Sequence, residues 1–374
     1  MFCLLLAVSA VSCRAFDRDE FRRLQIGQDA EVEDANVEAD AAPEAGSCLV
    51  LQRRVSDSCT LAELPSVPAG LVDQASNGQT YALALTRLEI GPGSFGNWAD
   101  FGFDRDGFCT LDNPMRAGTT CTGATIIEDG REGRDNSFGA VSGSGLQLTG
   151  IYSGVDITDH IGRGGLTLGI RITEWSGGDD GRVVLEWLSL ARGRGPDGMG
   201  LPVPDARNRW AIESRLSSNP SGGSNVTSEG FVACGYVAAR GPAALLLRLP
   251  STRSVSRTLL RAVIVGGALR PDVGGYLDLS GSWPESDQGN SISALGICPS
   301  TDPDSPYQSS IAGLRRGSDI VGDFVNNGPT AARCNASSLV FRLHLRPIEI
   351  DGTMPGTLPL ASPCDSPDAG ARDR

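Results

Sequence analysis

From residue 81 onward, apolar side chains recur at every second position. Leu166, Leu168, Ile170 and Ile172 alternate with Thr167, Gly169, Arg171 and Thr173, the period of a strand buried on one face. SGGDDG at 176–181 has the composition of a turn. Residues 182–191 then return with Val183, Leu185 and Trp187 on one face, so 166–191 is predicted to form a hairpin. The same alternation predicts strands over 81–90, 209–215, 230–239, 243–249, 259–265, 276–282, 291–297 and 339–350. In the last of these, Leu339, Phe341, Leu343 and Leu345 face one way and Arg342, His344 and Arg346 the other. A loop is expected at 193–205 and a short helix near 309–316. Many short strands, turns rich in Gly, Pro and Ser, and no long amphipathic helix predict an all-β fold. The expected architecture is an antiparallel β-sandwich of the jelly-roll or concanavalin-like kind, occupying 77–350.

The N-terminal part has a different pattern. MFCLLLAVSAVS (1–12) is an apolar run too short to span a bilayer and fits the hydrophobic region of a signal peptide, although it lacks a basic start. Ala10-Val11-Ser12-Cys13 is an incomplete lipobox, and cleavage before Cys13 would free that residue for lipidation. Ordinary cleavage after Ala10 is the alternative. Residues 13–46 follow as a tether, whose stretch 28–46 carries seven acids and no base. Such a segment buries too little apolar surface to fold; it is a spacer or a disordered tail. Residues 47–76 are expected to form an irregular cap tied by cysteines, and 351–374 a frayed tail.

Ten cysteines without any C-x-x-C pair argue against zinc ribbons and dithiol redox chemistry and for disulfides in an oxidising compartment. Loss of Cys3 with the signal peptide and lipidation of Cys13 leaves an even set: Cys48, Cys59, Cys109, Cys121, Cys234, Cys298, Cys334 and Cys364. Proximity suggests Cys48–Cys59, Cys109–Cys121 and Cys298–Cys334, which leaves Cys234–Cys364. All 32 basic residues are Arg, and the net charge is −13 over 374 residues. That charge argues against nucleic acid and anionic membrane surfaces as partners.

The densest cluster of Asp, Gly and Cys is 101–139, FGFDRDGFCTLDNPMRAGTTCTGATIIEDGREGRDNSFG. Short oxygen side chains two apart and followed by Gly can curl around one ion, the way loops bind calcium. The candidate ligands are Asp104, Asp106, Asp112, Glu132, Asp135 and Asn136. The spacing is not that of an EF-hand, and turn formation alone also calls for Asp and Gly. FGFDRDG…C…EDGREGRDNSFG resembles a motif of an uncharacterised family of secreted proteins and lipoproteins from myxobacteria and related high-GC bacteria. GGDDGRVVLEW (177–187), GYVAARGPAALLLRL (235–249) and CNASSLVFRLHL (334–345) are further echoes. The resemblance spans about 95–350 and implies location and β architecture; it carries no activity. Arg105 stands where that pattern usually has an apolar residue.

Catalytic constellations are thin. His160 in a turn and His344 on a polar strand face lack motif partners, and neither a serine elbow, a P-loop nor a dinucleotide fingerprint occurs. Glu174 and Glu186 lie on the two strands of the hairpin, where a pair for glycoside cleavage could approach, although carboxylates so placed are more often solvent-side residues. Among five tryptophans, Trp187 is expected in the core and Trp175, beside a turn, is the candidate stacking platform for a glycan. The expectation is a non-catalytic structural or binding module of the cell envelope or surface, exported, lipid-anchored or secreted, without a transmembrane span, whose partner is an envelope protein or a glycan. A carbohydrate-binding or glycoside-cleaving jelly roll is the alternative, and calcium the only cofactor considered.

Overall fold

The computed structural model describes residues 53–55, 60–74, 79–90, 98–107, 121–122, 129–143, 158, 161, 166–194, 209–250, 255–294, 296–322, 332–355 and 364. The signal segment, the tether, Cys13, Cys48, Cys59, Cys109, Asp112 and His160 lie outside them.

A small hairpin comes first, β1 (Arg53–Val55) paired with β2 (Thr60–Ala62). The main sheet then begins with β3 (Tyr81–Ile90), β4 (Leu166–Thr173) and β5 (Asp180–Arg194). It continues through β6 (Arg209–Glu213), β7 (Thr227–Ala233), β8 (Tyr236–Arg240) and β9 (Ala244–Pro250). It ends with β10 (Val255–Arg270), β11 (Gly274–Pro284), β12 (Ala336–Pro347) and β13 (Glu349–Met354). Three short helices accompany them: α1 (Ser137–Gly143), α2 (Glu285–Ala294) and α3 (Pro306–Arg315).

The sheet closes on itself. In the order β5-β4-β3-β12-β11-β10-β8-β7, eight strands pair antiparallel, and β7 returns to β5 with Val183 opposite Gly230 and Leu185 opposite Ser228. This is a barrel, and the expected sandwich is wrong. An alternating strand needs something apolar over its inner face, and a sheet curled onto itself supplies that as well as a second sheet does. The chain visits the barrel strands in neighbour order, leaving only for β6 and β9. Both excursions use the two longest strands. The first half of β5 pairs with β7 and its second half with β6. The first half of β10 pairs with β9 and its second half with β8.

Side chains fill the barrel. Leu85, Ile170, Leu185, Trp187, Leu279 and Leu343 are fully buried in one cluster. Charges sit on the outer wall, where Arg171 faces Glu186 and Arg342 lies between Asp278 and Glu89. A barrel in lipid carries the opposite polarity, apolar outside and polar within. Among the described residues no helix is long and apolar enough to cross a membrane.

Two local expectations are corrected. Residues 230–239 are not one strand: Cys234 (φ 53°) and Gly235 (φ 71°) turn the chain between β7 and β8, the left-handed pair that a tight hairpin demands. Residues 291–297 are not a strand either, because α2 runs to Ala294 and buries Gln288, Ser291 and Ile292 on one helical face.

The disulfide expectations also change. Cys121 joins Cys334 across 213 residues, and Cys298 joins Cys364. Cys109–Cys121, Cys298–Cys334 and Cys234–Cys364 are therefore excluded; Cys234 is itself disulfide-bonded. Proximity in sequence is a poor guide where a closed sheet brings distant segments together. The bridges suit an oxidising compartment.

Candidate cation site on the barrel wall

Residues 103–106 lie against the outside of the barrel, where Arg105 meets Ala262 and Ser280. Asp104 N donates to Ala62 O at 2.8 Å, and Asp135 N donates to Phe103 O at 3.1 Å. The Arg105 guanidinium reaches Ala262 O and Ser280 Oγ, while Asp104 and Asp106 gather with Asp135. Gly107, at φ 72°, closes the turn, and its N donates to Asp104 Oδ1 at 2.9 Å. Asp135 is drawn in by Arg105 N, which donates to its Oδ2 at 2.6 Å. One oxygen from each of Asp104, Asp106 and Asp135 lies within 4.8 Å of the others. All three residues are buried.

Arg105 enters the wall itself. Its Nη2 donates to Ala262 O at 2.9 Å and Arg261 O at 3.4 Å, and its Nη1 to Ser280 Oγ at 3.4 Å. Those carbonyls lie at a bulge of β10 between Arg261 and Ile264, where Ala262 takes φ 47°. The position is buried against strands. Burial lowers the pKa of Arg105, opposed by Asp135, Asp319, Asp106 and Asp104.

Asp319 is the residue that sequence reasoning missed. Its Oδ1 accepts from Ser338 N at 2.8 Å, its Oδ2 from Ser338 Oγ at 2.6 Å, and Ser137 Oγ sits 2.9 Å from Oδ1. Ser137 N donates to Ser338 Oγ at 2.8 Å. The start of α1, the segment after α3 and β12 thus meet on one carboxylate. Beside them Cys334 N donates to Thr122 O at 3.0 Å and Thr122 N to Ala332 O at 2.8 Å, next to the Cys121–Cys334 bridge. Burial pushes the Asp319 carboxyl up to about 6, against the hydrogen bonds from Ser338 and Ser137. Asp135 is pushed well above the usual carboxylate range, first by burial and then by the charges of Asp106, Asp129, Asp104 and Asp319.

The remaining predicted ligands go elsewhere. Glu132 pairs with Arg134 at 3.0 Å. Asn136 caps α1: its Oδ1 accepts from Gly139 N at 3.2 Å, and its Nδ2 donates to Trp98 O at 3.2 Å. Asp112 lies outside the described residues.

The glycan candidate is corrected. Trp175 is 1% exposed, packs edge-on against Tyr81 at 5.2 Å and donates from Nε1 to Gly178 O. Trp187, Trp210 and Trp283 are buried too. Glu174 is paired with Arg182, and Glu186 with Arg171.

His344 does have a partner. Its Nε2 lies 2.7 Å from Glu89 Oε1 on the outer wall, with Arg87 at 3.1 Å from the same oxygen. The hydrogen bond to His344 leads the causes that hold Glu89 below the usual range. One residue pair along, Arg342 makes two bonds to Asp278, at 2.7 and 2.9 Å, with the Phe101 ring 3.6 Å and the Tyr276 ring 4.5 Å from its guanidinium. These ionic groups are engaged with one another and with the loop carrying Phe101, so they fasten that loop to β11 and β12. Compared with protein-family models, curated proteins and solved structures, the chain matches none.

Proposed function

We propose that the chain is a non-catalytic module of the cell envelope or surface that holds a divalent cation, calcium by the chemistry of its donors, on the barrel wall. The observation that carries this reading is the convergence of Asp104, Asp106 and Asp135 within 4.8 Å. Burying several carboxylates together is costly unless a proton or a cation neutralises them. Arg105 offers a single positive charge, and its guanidinium hydrogen-bonds carbonyls and a serine. Hard carboxylate oxygen donors suit calcium. Such an ion would tie 104–106 to 135 and fix the loops as a platform. Export, anchoring through Cys13, an envelope protein or glycan as partner, and kinship with the family that the 101–139 motif resembles belong to the same proposal.

Two experiments test it. Calcium titrated into the chelator-stripped, oxidised full chain should give one saturable event, weakened about tenfold or more in Asp106→Asn through the lost ligand charge. Flat heats for the parent chain would sink the cation reading. For the anchor, Cys13→Ala should move the chain from the membrane to the soluble fraction; unchanged fractionation would contradict it.

A further inference from the structure

Far from the carboxylates in sequence, β9 and the first half of β10 form a hairpin, in register from Ala244 opposite Arg261 to Pro250 opposite Val255. Leu245, Leu247, Leu249 and Leu260 turn into the main core. The alternation leaves Arg248 on the other face, and the register puts Arg257 directly across from it. Like charges in that position repel. Several other arginines meet acids: Arg215 has Glu213, Arg270 has Asp272 and Arg315 has Glu285. Among the described residues, no carboxylate lies within ion-pair distance of Arg248 or Arg257.

The two sites are unequal. Arg257 is exposed and Arg248 half-buried. Nε of Arg248 is closed off from solvent and has no hydrogen-bond partner. Burial, and then the charge of Arg257, lower the Arg248 pKa. From α2, Ser291 Oγ donates to the Arg257 carbonyl, which holds the strand and leaves the guanidinium free. On α2 itself, Glu285 is engaged by Arg315 and Ser318.

We propose that Arg248 and Arg257 form an oxyanion site in which a phosphate or sulfate group bridges the two guanidiniums. A guanidinium presents paired N–H donors that match two oxygens of such a group. One anion held between the two guanidiniums would cancel the repulsion across the strands. The site is independent of the cation reading and survives its failure.

The test is a titration of the oxidised full chain with inorganic phosphate, without calcium and with ionic strength held by sodium chloride. Wild type should show saturable binding that sulfate competes away. Arg257→Gln and Arg248→Gln should each weaken binding by about tenfold, the loss expected for a charge-assisted bidentate contact. Arg257→Gln replaces an exposed side chain, and in phosphate-free buffer it should melt at or above the wild type because the facing charge is gone. Absence of saturable binding in wild type, or wild-type affinity in either variant, overturns the proposal.

Discussion

Asp319 carries a signature that a single substitution can read. Its carboxyl is raised to about 6, so it keeps its proton longer in the folded chain than in the unfolded one, where the value is ~3.9. Folding therefore takes up a proton between those values, and stability falls as pH rises through that window. Asp135 acts in the same direction. Glu89, held low chiefly by its hydrogen bond to His344, acts oppositely and only at more acidic pH. With chelator present, the wild type should melt higher at pH 5 than at pH 7.5, and Asp319→Asn should remove part of that difference. Each ~1 kcal/mol moves the midpoint of a large domain by about 2–4 °C, which a thermal scan resolves. An unchanged pH slope in the variant would contradict the assignment. Asp104 and Asp106 were legible in the sequence because a D-x-D-G turn is local chemistry. Asp319 was not: 182 residues separate it from Ser137, and only the closed sheet brings them together. Trp175 was misread because a position beside a turn says nothing about what packs over it.

At the scale of elements, β10 is the most informative strand. Its bulge lets one 16-residue strand serve β9 first and β8 afterwards. The bulge also carries the carbonyls to which Arg105 donates. Ala262 sits there at φ 47°, a conformation that costs a side-chain-bearing residue roughly 1–2 kcal/mol, whereas glycine loses ~0.5–1 kcal/mol in chain entropy. Ala262→Gly should therefore raise stability by about 0.5–1 kcal/mol in urea unfolding; destabilisation would show that the methyl group, not the bulge, matters. Strands such as β4 and β12 were readable because their alternation is long and unbroken. The β7–β8 turn was hidden in a short run whose residues stay apolar through it. In α2, Ser291-Ile292-Ser293-Ala294 alternates like a strand, yet Glu285 and Asp287 in the first turn favour a helix through its dipole.

For the whole molecule, the period of two showed that each strand hides one face, and it could not show that the sheet hides that face against itself. The clues to closure lay in strand length and pairing: β5 and β10 run to 15 and 16 residues because each holds two partners along one edge. The disulfides follow the same logic, since Cys121–Cys334 spans 213 residues yet joins segments that are hydrogen-bonded neighbours. On this barrel the Asp-rich loops lie as a platform, with Arg105 reaching the wall and carboxylates gathered above it. The most direct test of that account is a thermal melt of the oxidised full chain at pH 7.5, with chelator and with calcium. Calcium should raise the midpoint of the wild type and leave Asp106→Asn where chelator puts it. Identical melts for the wild type in both conditions would contradict a cation-held platform and leave the loops fastened by Arg105, Asp319 and the Cys121–Cys334 bridge alone.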